Sequence, residues 1–337
     1  MAIKDDGTVW AWGRNQHSQL GDGTTDSRLN PIQVPGITDA VAVSGGTAHS
    51  LVLKSDGTIL AFGLSSYGRT GYGSTTTATT PQPVLALTDI IDISAGFQHS
   101  IALKSDGTVW GFGRDNREQI GGGSDSGTNP PRQVGGLSDI IQISAGYEYN
   151  LALKSDGTVW SWGRNKKGQL GNTNSSNQGT PSQVAGLPSI NFISAGKEHA
   201  LAVGEDGQVY AWGEGGFGIL GNNDTSDRDS PVIASNLTGV VKVAAGGNHS
   251  IALKSDGTVW GWGWDADDQI GGGGDSLVPA QISSLSSIEY ISAGDFHTLA
   301  ISSTPEILAF GKGTNGRLGN GGTSDIATPT APSNPAV

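Results

Sequence analysis

The chain has 337 residues, of which 54 are glycine, none is cysteine and only 15% are charged. The glycines have no three-residue period and only 14 residues are proline, which excludes a collagen-like chain. Nine tryptophans, seven phenylalanines and six tyrosines are far more aromatic surface than a disordered chain carries. The composition therefore predicts many tight turns around a packed aromatic core.

The net charge limits the kinds of partner that this chain is expected to bind. Acidic residues outnumber basic ones by 31 to 19, which gives a formal net charge of −12. Such a charge opposes attraction to phosphate backbones and anionic lipid, so we expect no nucleic-acid partner. No apolar run approaches the roughly 20 residues of a membrane helix, and we expect no membrane insertion. The absence of cysteine excludes disulfides, thiolate nucleophiles and cysteine metal sites.

Two markers recur along the chain at a step of 50 residues, with a last step of 48. The first is an aromatic residue followed by glycine, at Trp12, Phe62, Phe112, Trp162, Trp212, Trp262 and Phe310. The second is a tripeptide of small residues, beginning at Ser44, Ser94, Ser144, Ser194, Ala244 and Ser292. A fixed period near 50 in a glycine-rich sequence with strand-like segments predicts a β-propeller or a solenoid.

Each unit contains four strand-like segments. Ile101 to Lys104 and Thr108 to Gly113 flank Asp106-Gly107, a pair that favours a tight hairpin turn. A proline-led segment such as Pro181 to Val184 suits the rim of a blade, and an apolar segment such as Ile190 to Ser194 suits the crowded axis. We therefore predict an all-β fold: a seven-bladed β-propeller of four-stranded antiparallel blades, with residues 1–337 forming a single domain.

Eight of the nine tryptophans occupy two repeat positions. One set is Trp10, Trp110, Trp160 and Trp260, and the other is Trp12, Trp162, Trp212 and Trp262. We expect all eight to wedge between blades, each contributing about 3–5 kcal/mol relative to alanine. Trp264 alone lies outside this register.

The phase of the repeat predicts a gap in the first blade. Residues 1–4 align with residues 151–154, and the chain stops shortly after a proline-led segment near Pro329. Seven hairpins are then matched by only six strands that end in the small tripeptide. We expect the first blade to lack its inner strand. The sequence is then a fragment of a longer protein, or another segment fills the gap.

The units resemble a known repeat. Residues 154–163, Lys-Ser-Asp-Gly-Thr-Val-Trp-Ser-Trp-Gly, followed by Gly168 to Gly171, Ser194 to Gly196 and His199, resemble the regulator of chromosome condensation repeat. The resemblance covers nearly the whole chain. It implies a seven-bladed propeller that serves as a platform for protein partners and is not an enzyme.

The founding member of that family implies an alternative function, guanine-nucleotide exchange on a small GTPase aided by a β-wedge, together with chromatin attachment. This chain departs from it, because units of near-constant length leave no room for a wedge, and because it has no basic tail and a charge of −12. It looks closer to bacterial proteins with this repeat, which are often secreted or surface-borne. The resemblance thus favours an extracellular or cell-surface location over a cytoplasmic one, and an adhesion or glycan-binding module is a further alternative. The remaining alternative is an enzyme, such as a lyase, that uses residues at the channel mouth.

Histidine occupies one repeat position in five units, at His49, His99, His199, His249 and His297, with Tyr149 in the sixth. Five histidines on different blades could bind a metal only by meeting at the axis. One hydrogen-bonded imidazole per blade explains the spacing directly, so we interpret them as structural and expect no metal site. Only His17 lies outside this position.

Two further patterns could indicate ligand binding, but we favour an explanation without a ligand for each. Residues 213–218 and 311–316 match G-x-G-x-x-G, but no helix is expected to follow, so we attribute both to turns and expect no cofactor. Asp265, Asp267 and Asp268 lie beside Trp264, and carboxylates on alternate residues can bind calcium. Because the spacing of an EF-hand is absent, we interpret the cluster as a solvated acidic loop.

The residues that differ between units are the candidates for function, because the framework is so regular. A variable pair follows each small tripeptide, in a turn that should border one mouth of the axial channel. Aromatic side chains flanked by charge in such turns are typical of a recognition surface, although they could simply cover the channel. We predict no catalytic residue and the following partner-binding residues: Phe97, Gln98, Tyr147, Glu148, Lys197, Glu198, Asp295, Phe296 and Trp264.

The loops that follow the aromatic–glycine pairs also vary. Their variable residues include His17, Tyr67, Arg117, Lys167, Phe217, Trp264 and Asp267. These residues would form a second surface, and the sequence leaves open which surface binds a partner.

Overall fold

The computed structural model describes residues 1–121 and 130–333, which form seven antiparallel β-sheets around a central axis. We number the sheets as blades 1 to 7 in chain order. Blades 2 to 7 have four strands each, and blade 1 has three within the described residues. In every blade, strands that are consecutive in the chain are neighbours in the sheet. The predicted seven-bladed propeller is confirmed.

The strands are grouped here by their place in the blade, from the axis outward. The inner strands are Ala40–Gly45, Ile90–Ala95, Ile140–Ala145, Ile190–Ala195, Val240–Ala245 and Ile288–Ala293. The second strands are Ala2–Ile3, His49–Lys54, His99–Lys104, Tyr149–Lys154, His199–Gly204, His249–Lys254 and His297–Ser302. The third strands are Val9–Gly13, Ile59–Gly63, Val109–Gly113, Val159–Gly163, Val209–Gly213, Val259–Gly263 and Ile307–Gly311. The outer strands are Arg28–Gln33, Ala78–Pro83, Arg132–Gln133, Gln178–Gln183, Arg228–Ile233, Ser276–Gln281 and Ile326–Thr330.

Helical structure in the described part of the chain is limited to three short 3₁₀ segments. These are Ser66–Gly68, Gly216–Gly218 and Thr314–Gly316, each in the loop after a third strand. Within residues 1–121 and 130–333, no helix is both long and apolar enough to pass through a lipid bilayer.

The small tripeptides line the axial channel, as their composition predicts. Residues of all six inner strands border a cavity of ≈ 160 Å³ at the axis. Glycine is required at the end of each strand: a Cβ on Gly96 would lie 2.6 Å from the carbonyl oxygen of Gly146 and 2.3 Å from the ring of His99. The blades can approach each other closely only because no side chain is present there.

The cores lie between blades, and the tryptophans divide into two groups. Trp162, Trp212 and Trp262 are completely buried, and their indole N–H groups donate to carbonyl oxygens of the preceding blade. In contrast, Trp110 and its equivalents are half-buried and pack on the edge of these cores, where Trp10, Trp160 and Trp260 lie beneath a lysine ammonium group. Trp110, Trp160 and Trp260 thus pack against the cores between blades, as expected, but they lie at the edge of each core and stay half-exposed.

The histidines join neighbouring blades. His49 Nε2 lies 2.9 Å from Ser100 Oγ, and that hydroxyl donates to the carbonyl oxygen of Arg69 in the histidine's own blade. The same arrangement joins His99 to Asn150, His199 to Ser250 and His249 to Thr298. Because the hydroxyl hydrogen is already used, the imidazole must donate from Nε2. Burial lowers the pKa of His49 to about 3, so its ring is neutral and carries its one proton on Nε2. The structural interpretation of these four histidines is confirmed.

Blade 1 joins blade 7 through its outer part. The indole of Trp12 donates to the carbonyl oxygen of Arg317 over 2.9 Å, and Gly321 N donates to the carbonyl oxygen of Leu29 over 3.0 Å. Nearer the axis, Ala2 and Ile3 pair with Trp10 and Val9 on one side. On their other side, where residues 1–121 and 130–333 supply no strand, lies a groove that Val43 and Ser292 help to line.

Candidate functional site

The variable turns form a ring whose members are hydrogen-bonded from blade to blade. Phe97 N donates to the carbonyl oxygen of Tyr147 over 3.1 Å, and Lys197 N donates to that of Gly246, also over 3.1 Å. Gly247 N donates to the carbonyl oxygen of Gly294 over 3.3 Å. These bonds fix the turn backbones, so that the variable side chains are held at one mouth of the channel, as predicted.

Two of the predicted aromatic residues form a stacked pair at this mouth. The rings of Phe97 and Tyr147 have their centroids 3.8 Å apart at an interplanar angle of 14°. The ammonium group of Lys197 lies 5.8 Å from the Tyr147 ring centroid. Burial, together with the nearby carboxylates of Asp295 and Glu148, raises the pKa of the Tyr147 phenol. The pair is therefore a neutral apolar platform with a cation at its edge.

The acidic residues of the turns are held by arginines from the neighbouring loops. Glu148 is only 8% exposed, and its carboxylate lies 3.3 Å from Arg164 and 3.9 Å from Arg117. Arg164 also pairs with Glu198, so that one guanidinium joins two blades. Gln98 accepts a hydrogen bond of 2.6 Å from Arg114. The carboxylates of Glu148 and Glu198 are thus fixed by ion pairs.

A second aromatic group lies on the side of blades 5 to 7. Trp264 packs edge-on against Phe296, with centroids 6.1 Å apart, and lies 6.0 Å from the ring of Phe217. The cations of Lys312 and Arg317 lie 5.1 and 5.5 Å from the Phe296 centroid. Phe217 is 49% exposed, which makes it an apolar group presented to solvent.

The loops after the third strands belong to this same surface and do not form a second one. Trp264 N donates to the carbonyl oxygen of Asn248 over 2.9 Å, and Arg164 N donates likewise to Glu148. Each such bond joins a loop to the variable turn of its own blade. We call the nine predicted partner-binding residues, together with Phe217, the mouth surface.

Sequence reasoning missed a buried arginine that supports the mouth surface. Arg69 is only 2% exposed, and it stands where most other units have the glutamine of Gly-Gln-Leu-Gly. Its Nη1 lies 3.5 Å from the carbonyl oxygen of Phe97, and burial lowers its pKa to about 10. The sequence indicated Arg69 only by its departure from the repeat, since most other units have glutamine at this position.

The acidic cluster is not a solvated loop. Asp265 is 4% exposed and accepts a 2.8 Å hydrogen bond from Ile270 N, a role that Asn15 and Asn165 play in their own units. Asp267 pairs with the Lys312 ammonium at 2.9 Å. These two carboxylates are engaged by the fold, and no group of three or more potential metal ligands is found among residues 1–121 and 130–333.

These features define the class of protein: a β-propeller of about 50-residue repeats that presents aromatic and charged residues around one end of its channel. Residues 84–335 match the family described as the RCC1-like domain. Residues 6–53, 56–103 and 40–69 match regulator of chromosome condensation (RCC1) repeats. The chain belongs to the RCC1-like family.

Solved structures have the same fold. Human WBSCR16 is 20% identical, with a TM-score of 0.87 over 98% of this chain and 94% of that one. Prp20p of Saccharomyces cerevisiae is 22% identical, with a TM-score of 0.87 over 99% of this chain and 88% of that one. At this level of identity the likeness extends to the fold alone.

Proposed function

We propose that this protein is a non-catalytic scaffold that binds a protein partner through the mouth surface. The observation that carries the proposal is the placement of Phe97, Tyr147, Trp264 and Phe296 in turns and loops, where they contact one another around the channel mouth. Aromatic residues fixed beside arginines and carboxylates are typical of the centre of a protein interface.

Rigidity supports this choice. The stacked pair is held by turn-to-turn hydrogen bonds, and the carboxylates of Glu148 and Glu198 are oriented by Arg164. A preorganised surface loses little conformational entropy on binding. The structure of Prp20p was described together with its binding to Gsp1p and histones, so a propeller of this kind can serve protein partners. A basic partner would suit the net charge of −12.

The test compares two triple variants in an affinity capture of partners. Phe97→Ala, Tyr147→Ala and Phe296→Ala together remove the aromatic rings of the mouth surface. The control, Val41→Ala, Ile91→Ala and Ile141→Ala, removes exposed apolar side chains at the opposite end of the inner strands. We expect a partner captured by the unaltered chain to lose at least tenfold in affinity with the first variant only, as for hot-spot residues worth 2 kcal/mol each.

Unchanged binding by the mouth variant would refute the proposal, and loss with the control alone would move the interface to the other end. Two further assays address the alternatives. Accelerated nucleotide release from any member of a panel of small GTPases would replace the scaffold by an exchange factor. Saturable binding on a glycan array that is lost in Trp264→Ala would favour the adhesion module.

A further inference from the structure

One arginine on the mouth side is buried without an acidic partner. Arg69 is 2% exposed, and its Nε donates to the carbonyl oxygen of Ser66 over 3.0 Å. Its Nη1 lies 3.5 Å from the carbonyl oxygen of Phe97. Within residues 1–121 and 130–333, no carboxylate forms an ion pair with it. A guanidinium that is removed from water and contacts only neutral oxygens destabilises the fold.

The same arginine occurs in blade 7, where acidic residues surround it. Arg317 is the equivalent of Arg69, and its Nε donates in the same way to the carbonyl oxygen of Thr314 over 3.0 Å. Burial lowers the pKa of Arg317, and three nearby carboxylates oppose this effect: Asp295, Asp267 and Asp325. Burial also lowers the pKa of Arg69, but among the described residues only the phenol of Tyr67 opposes it. The charge of Arg69 is therefore not balanced within the described part of the chain.

This charge acts on the neighbouring interior. Burial is the main cause of the low pKa values of His49 and His99, and the positive charge of Arg69 lowers both further. A charge that affects two imidazoles in the low-dielectric interior is not screened by a counter-ion.

A second guanidinium lies on the same aromatic ring. The guanidinium carbon of Arg114, in the next blade, is 4.9 Å from the centroid of the Tyr67 ring, and that of Arg69 is 5.9 Å from it. Arg114 is held by Gln98, whose Oε1 accepts a hydrogen bond of 2.6 Å from Nη1. Two cations beside one half-buried phenol make this part of the mouth side locally positive, although the net charge of the chain is −12.

A group at the surface can reach Arg69. Its Nη2 has no hydrogen-bond partner within the described residues and is not completely enclosed. The site lies next to the variable turn of blade 3, because Arg69 contacts Phe97 and Arg114 contacts Gln98. The planar N–H groups of a guanidinium match the geometry of a carboxylate.

We propose that Arg69 is the docking point for an acidic side chain, aspartate or glutamate, of the protein partner. The carboxylate would accept from Nη2 of Arg69, and Arg114 would add attraction while it stays bonded to Gln98. This inference rests on the proposed function, because it assigns one residue of the partner that the mouth surface binds. A single acidic residue at a fixed place is compatible with a partner that is basic overall.

The test selects binders from a displayed library of random peptides on the unaltered chain. The chain with Phe97→Ala, Tyr147→Ala and Phe296→Ala removes peptides that bind elsewhere. We expect the remaining peptides to share aspartate or glutamate at one position. Replacing that residue by asparagine or glutamine should weaken binding about tenfold, as for a hydrogen bond between charged groups.

Arg69→Gln is the matched chain variant, because glutamine occupies this position in other units, at Gln19, Gln119, Gln169 and Gln269. Acidic peptides should bind this variant about tenfold more weakly, and their amide versions should bind both chains equally. Loss of the contact with Phe97 alone would weaken both kinds of peptide, so the comparison separates direct contact from support of the turn. The urea midpoint of Arg69→Gln should not fall, since the glutamine can accept from a backbone N–H as Gln19 does from His17. That of Arg317→Gln should fall, because Asp295 and Asp267 lose a cation.

Three results would overturn this inference and leave the proposed function standing. The first is a set of mouth-dependent peptides without a shared acidic residue, and the second is equal binding of acidic peptides by Arg69→Gln and the unaltered chain. The third is an equal loss of acidic and amide peptides together with a lower urea midpoint, which would assign Arg69 to support of the turn. A library without any mouth-dependent binder would contradict both the inference and the proposed function.

Discussion

Two aromatic residues of the mouth side, half-buried Tyr67 and exposed Phe217, have a backbone conformation that suits asparagine or glycine. Tyr67 has φ of 65° and Phe217 has φ of 59°, both in the left-handed region. In blade 7 the equivalent residue is Asn315, with φ of 63°. A bulky side chain in this region costs about 1–2 kcal/mol. A large ring is thus displayed at a position where the fold would be more stable without it.

We predict that Phe217→Asn raises the free energy of unfolding by about 1 kcal/mol, because asparagine tolerates the left-handed region. Phe217→Ala removes the ring but keeps a strained backbone, and we expect it to be less stable than Phe217→Asn. Urea denaturation followed by circular dichroism measures both. The reverse exchange, Asn315→Phe, should destabilise the chain, and equal stability of the asparagine and alanine variants would exclude strain as the cause.

At the scale of the blade, the sequence predicted the elements that every unit repeats and missed how deeply individual side chains are buried. The 50-residue period predicted strands, hairpins and axial glycines, because each copied residue has a local role. The exposure of Trp110 depends on packing across a blade edge, and the burial of Asp265 depends on a backbone N–H five residues away. The alignment of Asp265 with Asn15 and Asn165 in the repeat indicated that this carboxylate has a structural role. The sequence did not show that the variable turns and the loops lie on the same face of the propeller. That is shown by hydrogen bonds such as the one from Trp264 N to the carbonyl oxygen of Asn248.

The buried tryptophans provide a matched pair that tests how blades are joined. The carbonyl oxygen of Gln119 accepts from both Trp162 and Asn150, at 3.1 and 2.7 Å. The equivalent oxygen of Gln169 accepts only from Trp212 among residues 1–121 and 130–333, because Ala200 stands in the place of Asn150. Replacing Trp212 therefore leaves the buried Gln169 carbonyl without this donor. Replacing Trp162 leaves the Gln119 carbonyl bonded to Asn150.

We predict that Trp212→Phe costs about 1–2 kcal/mol more in unfolding free energy than Trp162→Phe, which is the penalty for an unsatisfied buried carbonyl. Phenylalanine fits at this position, since Phe62, Phe112 and Phe310 occupy it in other blades. Urea denaturation of the two variants at one pH provides the comparison. Equal losses would mean that the Gln169 carbonyl finds another donor, and that packing alone sets the cost.

At the scale of the whole molecule, the ring of buried histidines links stability to pH. Burial lowers the pKa of His49 and His249 to about 3 and that of His99 and His199 to about 4, against an ordinary value of 6.5. Their Nδ1 atoms have no hydrogen-bond partner within the described residues, so a proton there would be unsatisfied. The folded chain therefore keeps all four neutral at pH values where the unfolded chain binds protons.

Because the unfolded chain binds more protons than the folded chain, the free energy of unfolding decreases as the pH falls. Stability is fully present well above pH 6.5 and falls as the pH drops toward 4, by up to about 1.4 kcal/mol per pH unit for each histidine. Burial raises the pKa of Asp92 to about 6, which acts in the opposite direction over part of this range. We therefore compare the chain with His249→Tyr, because Asp92 is the same in both proteins and Tyr149 shows that the position accepts a phenol. Urea midpoints should be nearly constant above about pH 7.5 and should fall as the pH drops through 6.5. In this lower range they should fall less steeply in the variant, and equal slopes would exclude His249 as a source of the pH dependence.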